Sequence, residues 1–211
     1  MASRILGKAI YDAIADRRED RRNAIVDAAE SLFLEHGFER VSLAAIIKQS
    51  GGSLATVYEL FGNKQGLLRA VVDRSRQEKF ADLTDAACEM ESAADALRMI
   101  ARRLNEHMVS PRAIAMMRIV IAEALRDPEF ARDFHRDVHL SFVGELAECF
   151  RAWNAEGKAE IDDPEAAAEL YLASVLCDAQ LKAMIRTDAA PPGEAQIEWR
   201  LAPFITYFKV R

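Results

Sequence analysis

Turn-forming residues are scarce in this chain, with nine Gly and six Pro among 211 residues, about 7% against about 12% in ordinary usage. A many-stranded sandwich or barrel needs turn residues at short intervals, so the shortage points to helix. Cysteine is scarce too. Cys88, Cys149 and Cys177 are odd in number and far apart, with no CxxC spacing, which excludes a zinc ribbon and a secreted disulfide scaffold and suits a reducing cytoplasm. Their apolar helical settings are those of inert thiols. Long apolar runs are missing: the longest, such as Leu43–Ile47 and Ala113–Met117, have five residues, where a membrane helix needs about 20. Residues 1–18 carry Asp12 and Asp16 and lack the apolar stretch of a secretory signal. A soluble cytoplasmic protein with no membrane partner is expected.

Catalytic signatures are equally absent. The chain has no nucleophile elbow, GxGxxG, phosphate loop or HExxH, and the paired Asp162 and Asp163 are explained by helix capping. No enzymatic activity and no cofactor are expected. Against these absences stand 51% hydrophobic and 29% charged residues, with a net charge of −6, the composition of an ordinary globular chain long enough to bury a core. The charge is unevenly spread. Residues 1–70 hold ten basic and nine acidic side chains, so residues 71–211 carry −7; within residues 40–70 Glu59 is the one acid beside four bases. Two parts with different partners follow from that split.

Five of the nine glycines (Gly37, Gly51, Gly52, Gly62 and Gly66) fall within 30 residues, which predicts short helices joined by tight turns. Residues 1–20 read as an arm, with Leu6, Ile10 and Ile14 leaving room for a short extra helix. From Arg21 the apolar residues follow a 3.6 period through Phe33, closed at Gly37. Ser42 caps a short helix that ends at Gly51, and Ser53 or a neighbour caps a third that ends near Phe61. A fourth opens at Lys64 and runs towards Cys88. Longer helices then span Ala93–Met108, Pro111–Arg126, Pro128–Glu156 and Pro164–Arg186. A loop at Thr187–Gly193 leads to a last segment that Pro203 should kink or split. The domain reading is an arm at 1–20, a helix-turn-helix at 21–68 and a helical remainder at 69–211.

Ser42–Phe61 has the layout of a helix-turn-helix, two helices of about eight residues joined by a short Gly-containing turn. Leu54, Ala55 and Thr56 are small enough to enter a major groove, and Ser53, Thr56, Tyr58 and Lys64 offer donors to phosphates. On geometry alone, a DNA reader and a plain helical hairpin both remain open.

The wider pattern resembles the N-terminal domain of TetR-family transcriptional regulators. The matching residues are Ala28, Ala29, Leu32, Phe33, Gly37, Phe38, Ser42, Ile46, Gly51, Ser53, Thr56, Val57, Tyr58, Phe61, Lys64, Leu67 and Leu68. The second part is similar to the AcrR/AefR-like branch in Glu123–Ala131, Gly157 and Ile161–Pro164. The resemblance implies an all-α homodimer, its helix-turn-helix domain joined through a long helix to an effector-binding and dimerisation domain. It implies a transcriptional regulator, expected to repress, that binds a palindromic double-stranded DNA operator and is released by a small-molecule effector of unknown identity. Leu54, Ala55 and Glu59 would then face base edges, and Ser42, Thr56, Tyr58 and Lys64 would face phosphates.

Three positions depart from the family pattern. Gly52 replaces an apolar residue after the turn, which predicts a missing plug in the small core. Leu54 stands in place of a polar residue. Glu59 puts a carboxylate towards the duplex, where it accepts from a cytosine amine or repels phosphate. The bases Arg4, Lys8, Arg17, Arg18, Arg21 and Arg22 either reach phosphates or form a solvated helix end balanced by nearby acids.

In the second part, small and apolar residues on Pro164–Arg186 predict a dimer seam. Candidate effector contacts are Met99, Arg103, His107, Met116, Met117, Phe134 and Tyr171. His135 and His139 stand four apart, a spacing that can clamp a metal, yet Asp133 and Asp137 beside them favour a solvated face, so no metal site is expected. The rival reading is an all-helical small-molecule carrier, or an orphan dimer without DNA binding, which would have no need of Thr56, Tyr58 and Lys64 in their register.

Overall fold

The computed structural model describes residues 2–185 and 192–211, with side chains for residues 17–78, 83–185 and 192–211. Its described residues form helices only: α1 (Ala2–His36), α2 (Leu43–Ser50), α3 (Leu54–Phe61), α4 (Lys64–Cys88), α5 (Ala93–Met108), α6 (Pro111–Arg126), α7 (Pro128–Phe134), α8 (Leu140–Ala155), α9 (Pro164–Met184) and α10 (Glu194–Tyr207). The chain divides into two compact units, Met1–Asp73 and Arg74–Arg211.

The first unit is built on one stripe of α1. Ile25, Val26, Ala29 and Phe33 are buried with Phe38, Ile46, Val57, Leu67 and Leu68, and the Phe33 and Phe38 rings lie 5.1 Å apart. The stretch read as an arm continues α1 without a break; the side chains of Arg4 and Lys8 lie outside the described residues. Asn63 starts α4 by accepting from the Gly66 amide at 2.7 Å. A Cβ on Gly66 would sit 1.9 Å from the Phe61 carbonyl oxygen, so only glycine lets α3 and α4 approach this closely.

The second unit holds an aromatic cluster. Phe150, Trp153, Tyr171, Phe204 and Phe208 pack with ring centroids between 4.6 and 6.4 Å apart, within the range of favourable ring contacts. Tyr171, wholly buried, donates its hydroxyl to the Leu97 carbonyl at 2.7 Å, and burial holds its phenol pKa well above the ordinary value. Around the cluster, Asp178 accepts from Lys182 at 3.0 Å and from Arg200 at 2.8 Å, joining α9 to α10. The Lys182 bond, then that of Arg200, lowers its pKa. Arg98 bridges α5 to Glu198 at 2.8 Å, and that bond raises its own pKa.

Four expectations need correction. The helix read as Pro128–Glu156 is interrupted by a π-helical turn at His135–His139. Its buried residues step by four from Phe130 to Val138 (through half-buried Phe134), then by five to Val143, the spacing that a π turn accommodates. Pro203 does not split the last helix, for α10 runs through it. It sits on the exposed face, where the carbonyl it leaves without a donor can meet water. The helix from Pro164 ends at Met184, because Arg118 of α6 takes up the Ala183 and Met184 carbonyls at 2.8–3.0 Å; of the following loop, residues 186–191 lie outside the described residues. Lastly, Cys88 and Cys149 are not remote from each other but meet, with Cα atoms 5.2 Å apart, near enough to form a disulfide, and Cys177 alone stands apart. Sequence separation had concealed their proximity.

Candidate nucleic-acid interface

Two serines start the two short helices. The Ser42 hydroxyl oxygen accepts from the Ala45 amide at 3.1 Å, and that of Ser53 accepts from the Thr56 amide at 3.2 Å while lying 3.0 Å from the Thr56 hydroxyl. Each satisfies an amide that the helix leaves without an internal partner. Both serines are exposed, and a capping hydroxyl that accepts still has its own proton to donate.

Between the helices Gly51 and Gly52 have φ of 75° and 98°, left-handed values that carry the chain from one helix to the other. The Arg21 guanidinium donates to the Ser50 carbonyl at 3.3 Å. A Cβ on Gly51 would come within 3.2 Å of its Nη1, and one on Gly52 within 3.5 Å of its Cδ. This corrects the expectation that Gly52 leaves a hole. The position is exposed, its backbone suits glycine, and the side chain over it is the stem of Arg21.

The helix α3 buries Val57 and Phe61 and turns its other side outward. Leu54 is 44% exposed and Tyr58 56%, with Ala55 and Glu59 exposed on the same face and Thr56 half-buried. Five of the residues assigned to DNA contact, Ser53, Leu54, Ala55, Tyr58 and Glu59, are thereby gathered on and before one short helix. Ser42 stands at the head of α2. Lys64 is placed differently: its ammonium lies 4.2 Å from the centre of the Phe38 ring and donates to the Glu39 carbonyl at 3.3 Å.

Arg18 and Arg21 are what the sequence reading underweighted. Arg18 pairs with Glu59 at 3.2 Å, Arg21 holds the turn, and Arg22 lies 5.9 Å from the centre of the Phe61 ring. Their clustering at residues 17–22 was visible; their partners, 29 to 41 residues away, were not.

In the second unit the candidate effector contacts differ in burial. Arg103 is exposed and pairs with Glu106 at 3.6 Å. Tyr171 is engaged in the core, Met99 packs against that core, and Met116 is buried. His107, Met117 and Phe134 are half-buried. A residue not singled out from the sequence is Asn105, 3% exposed. Its amide nitrogen donates to the Ala101 carbonyl at 2.9 Å and the Val175 carbonyl at 3.4 Å, which fixes the amide orientation and leaves its buried oxygen without a partner. The exposed His135 and His139 rings stack 5.2 Å apart. Among the described residues no group of three or more His, Cys, Asp or Glu is placed to hold a metal, and no helix is long and apolar enough to cross a membrane.

Comparison with known proteins gives the same two-part division. Residues 25–71 match the family described as bacterial regulatory proteins, tetR family, and residues 95–209 match the AefR-like transcriptional repressor C-terminal domain. Among curated relatives, the transcriptional repressor ComR of Escherichia coli is 42% identical over 78 residues, covering 36% of this chain and 37% of that protein; the match therefore spans well under half of the relative. Among solved structures, a TetR-family regulator from Mesorhizobium loti superposes with a TM-score of 0.77 at 23% identity, covering 91% of this chain and 98% of the other. The flavonoid-responsive regulator FrrA superposes with a TM-score of 0.68 at 28% identity, covering 89% and 96%.

Proposed function

The chain belongs to the TetR family of DNA-binding transcriptional regulators, and from that membership we propose that it acts as a homodimeric repressor of a palindromic operator, released by a small-molecule effector. The observation that carries the reading is the outward face of α3. Leu54, Ala55, Tyr58 and Glu59 share one exposed side of a doubly capped helix, where a folding requirement alone would not keep an exposed leucine and tyrosine. Leu54 and Ala55 suit apolar contact with thymine methyl groups, and the Ser42, Ser53 and Tyr58 hydroxyls suit phosphate oxygens. Arg17, Arg18 and Arg21, exposed on α1, add to the basic excess of residues 40–70 in a chain whose net charge is −6.

Dimer contact is assigned to α9 and α10. Leu170, Leu181, Ile185, Trp199 and Tyr207 are all more than half exposed there, Trp199 at 77%, and a second copy would cover these large apolar surfaces. Effector binding is assigned to the remainder of the second unit, with Met116, Met117, His107 and Phe134 as adaptable walls and the unmatched Asn105 oxygen as an acceptor for a hydroxyl or N–H. The effector acts by binding one spacing of the two α3 helices better than the other, and lowers operator affinity by that difference.

The test is a fluorescence-anisotropy titration of the full chain against DNA upstream of its own gene, with a scrambled duplex at two salt concentrations. Tight, sequence-selective binding is expected. Equal weak binding to both duplexes, together with no site from genome-wide selection, would overturn the proposal in favour of the carrier.

A further inference from the structure

Two cysteines 61 residues apart meet in the second unit. Cys88 is the last residue of α4, Cys149 lies on α8, and their Cα atoms are 5.2 Å apart, inside the 4.4–6.8 Å range that a disulfide spans without moving backbone. Cys149 is wholly buried, its sulfur 4.0 Å from the Thr84 carbonyl oxygen, whereas Cys88 is partly exposed. One residue of the pair thus lies at the edge of the core, partly exposed, while the other is buried beside it.

A second bond joins the same two helices. Arg76 of α4 donates to Glu145 of α8 at 2.6 Å, both largely shielded, and Glu145 and Cys149 stand four residues apart on one face of α8. The α4–α8 contact therefore has an ionic fastening and a covalent one. The covalent one alone depends on redox state. Cys177, the remaining cysteine, is exposed and free.

We propose that Cys88 and Cys149 are a reversible dithiol–disulfide couple, a site of oxidative modification that fastens the end of α4 to α8. Where glutathione keeps thiols reduced the resting form is the dithiol. The oxidant is a hydroperoxide. The Cys88 thiolate attacks one peroxide oxygen, the O–O bond breaks, and water or an alcohol leaves with a proton, giving a sulfenic acid. The Cys149 sulfur then attacks the Cys88 sulfur, the S–O bond breaks, and the hydroxyl leaves as water with the Cys149 proton. The two sulfurs have lost two electrons, which the peroxide bond has gained. A dithiol reductant returns them by exchange. Resting on the regulator reading, the couple also tunes operator affinity, because α4 is the helix that begins at Lys64 in the first unit and carries Cys88 at its other end.

The test uses the full-length Cys177→Ser protein, either reduced or treated with hydrogen peroxide, then denatured, alkylated with iodoacetamide and weighed intact. Reduced protein should take two adducts. Peroxide-treated protein should take none and weigh two hydrogens less before alkylation, and dithiothreitol should restore both adducts. Adding Cys149→Ser, or separately Cys88→Ser, should abolish the two-hydrogen loss. Two adducts after peroxide, or added oxygen in place of lost hydrogen, would overturn the couple, as would a bond that dithiothreitol fails to open in the native protein. These readouts involve no DNA and stand or fall apart from the regulator reading. For the tuning, anisotropy titration of the two forms on the operator should give affinities at least threefold apart, and equal affinities would overturn it.

Discussion

The Arg18 guanidinium lies 3.2 Å from the Glu59 carboxylate, so the acid on the outward face of α3 has its counter-charge supplied by α1. An exposed pair of this kind contributes at most about 1 kcal/mol to stability; its larger consequence is electrostatic, at the surface offered to DNA. Glu59→Gln should free Arg18 for phosphate, raise affinity for scrambled duplex, and steepen the slope of log affinity against log salt by about one. Arg18→Ala should do the reverse. Anisotropy titrations at four salt concentrations measure both, and a slope unmoved by either substitution would remove the pair from the interface.

Tyr58 and Lys64 should separate cleanly. Tyr58 is exposed, so Tyr58→Ala should leave thermal stability within about 0.5 kcal/mol while weakening operator and scrambled DNA alike. Lys64 is tied to the Phe38 ring and the Glu39 carbonyl, so Lys64→Ala should cost about 1 kcal/mol of stability. Thermal melts beside DNA titrations decide. A fully stable Lys64→Ala protein that binds DNA poorly would assign this lysine to the phosphate contacts instead.

Gly52→Ala tests the turn. With φ at 98°, a Cβ should destabilise the protein by about 1 kcal/mol or more, measured as a fall in the denaturation midpoint in urea. A rise would mean that an apolar group fills space there after all.

Tyr171 gives the chain an alkaline limit. Its folded pKa lies above its unfolded value because burial disfavours the phenolate. Its contribution is complete below the unfolded pKa, about 10, and is lost as pH rises from there towards the folded value, since only the unfolded state releases the proton readily. Tyr171→Phe keeps the ring, loses the bond to Leu97, and should cost about 1 kcal/mol at neutral pH. The wild type should lose stability faster than this variant above pH 10. Parallel pH–stability curves would show that the phenol does not ionise on unfolding.

Trp199→Glu should convert dimer to monomer in sedimentation velocity, because a charge replaces a large ring that is 77% exposed on α10. A variant that remains dimeric would move the interface elsewhere.

The helices were legible where local chemistry decides them. Ser42 and the prolines at 111, 128 and 164 mark starts that the structure reproduces, and of the capping alternatives the structure selects Ser53 and, from Asp162 and Asp163, the latter. What stayed hidden was long-range. Nothing local in Arg18 names Glu59 as its partner, nothing in Cys88 points to Cys149, and Gly52 could be read as an omission only while the stem of Arg21 was unseen. Pro203 leaves its helix unsplit because its cost depends on which face of the helix it occupies.

The π turn at His135–His139 has a consequence best put as angle. Each α-helical residue advances the chain by about 100°, and the turn holds one residue that a plain α-helix would not. Deleting one residue there would rotate everything beyond it by about that angle. Phe150 and Trp153 would swing out of the aromatic cluster, Glu145 would turn from Arg76, and Cys149 would face away from Cys88. The phase of α8, and with it both its fastenings to α4, is set by a single inserted residue upstream of all of them.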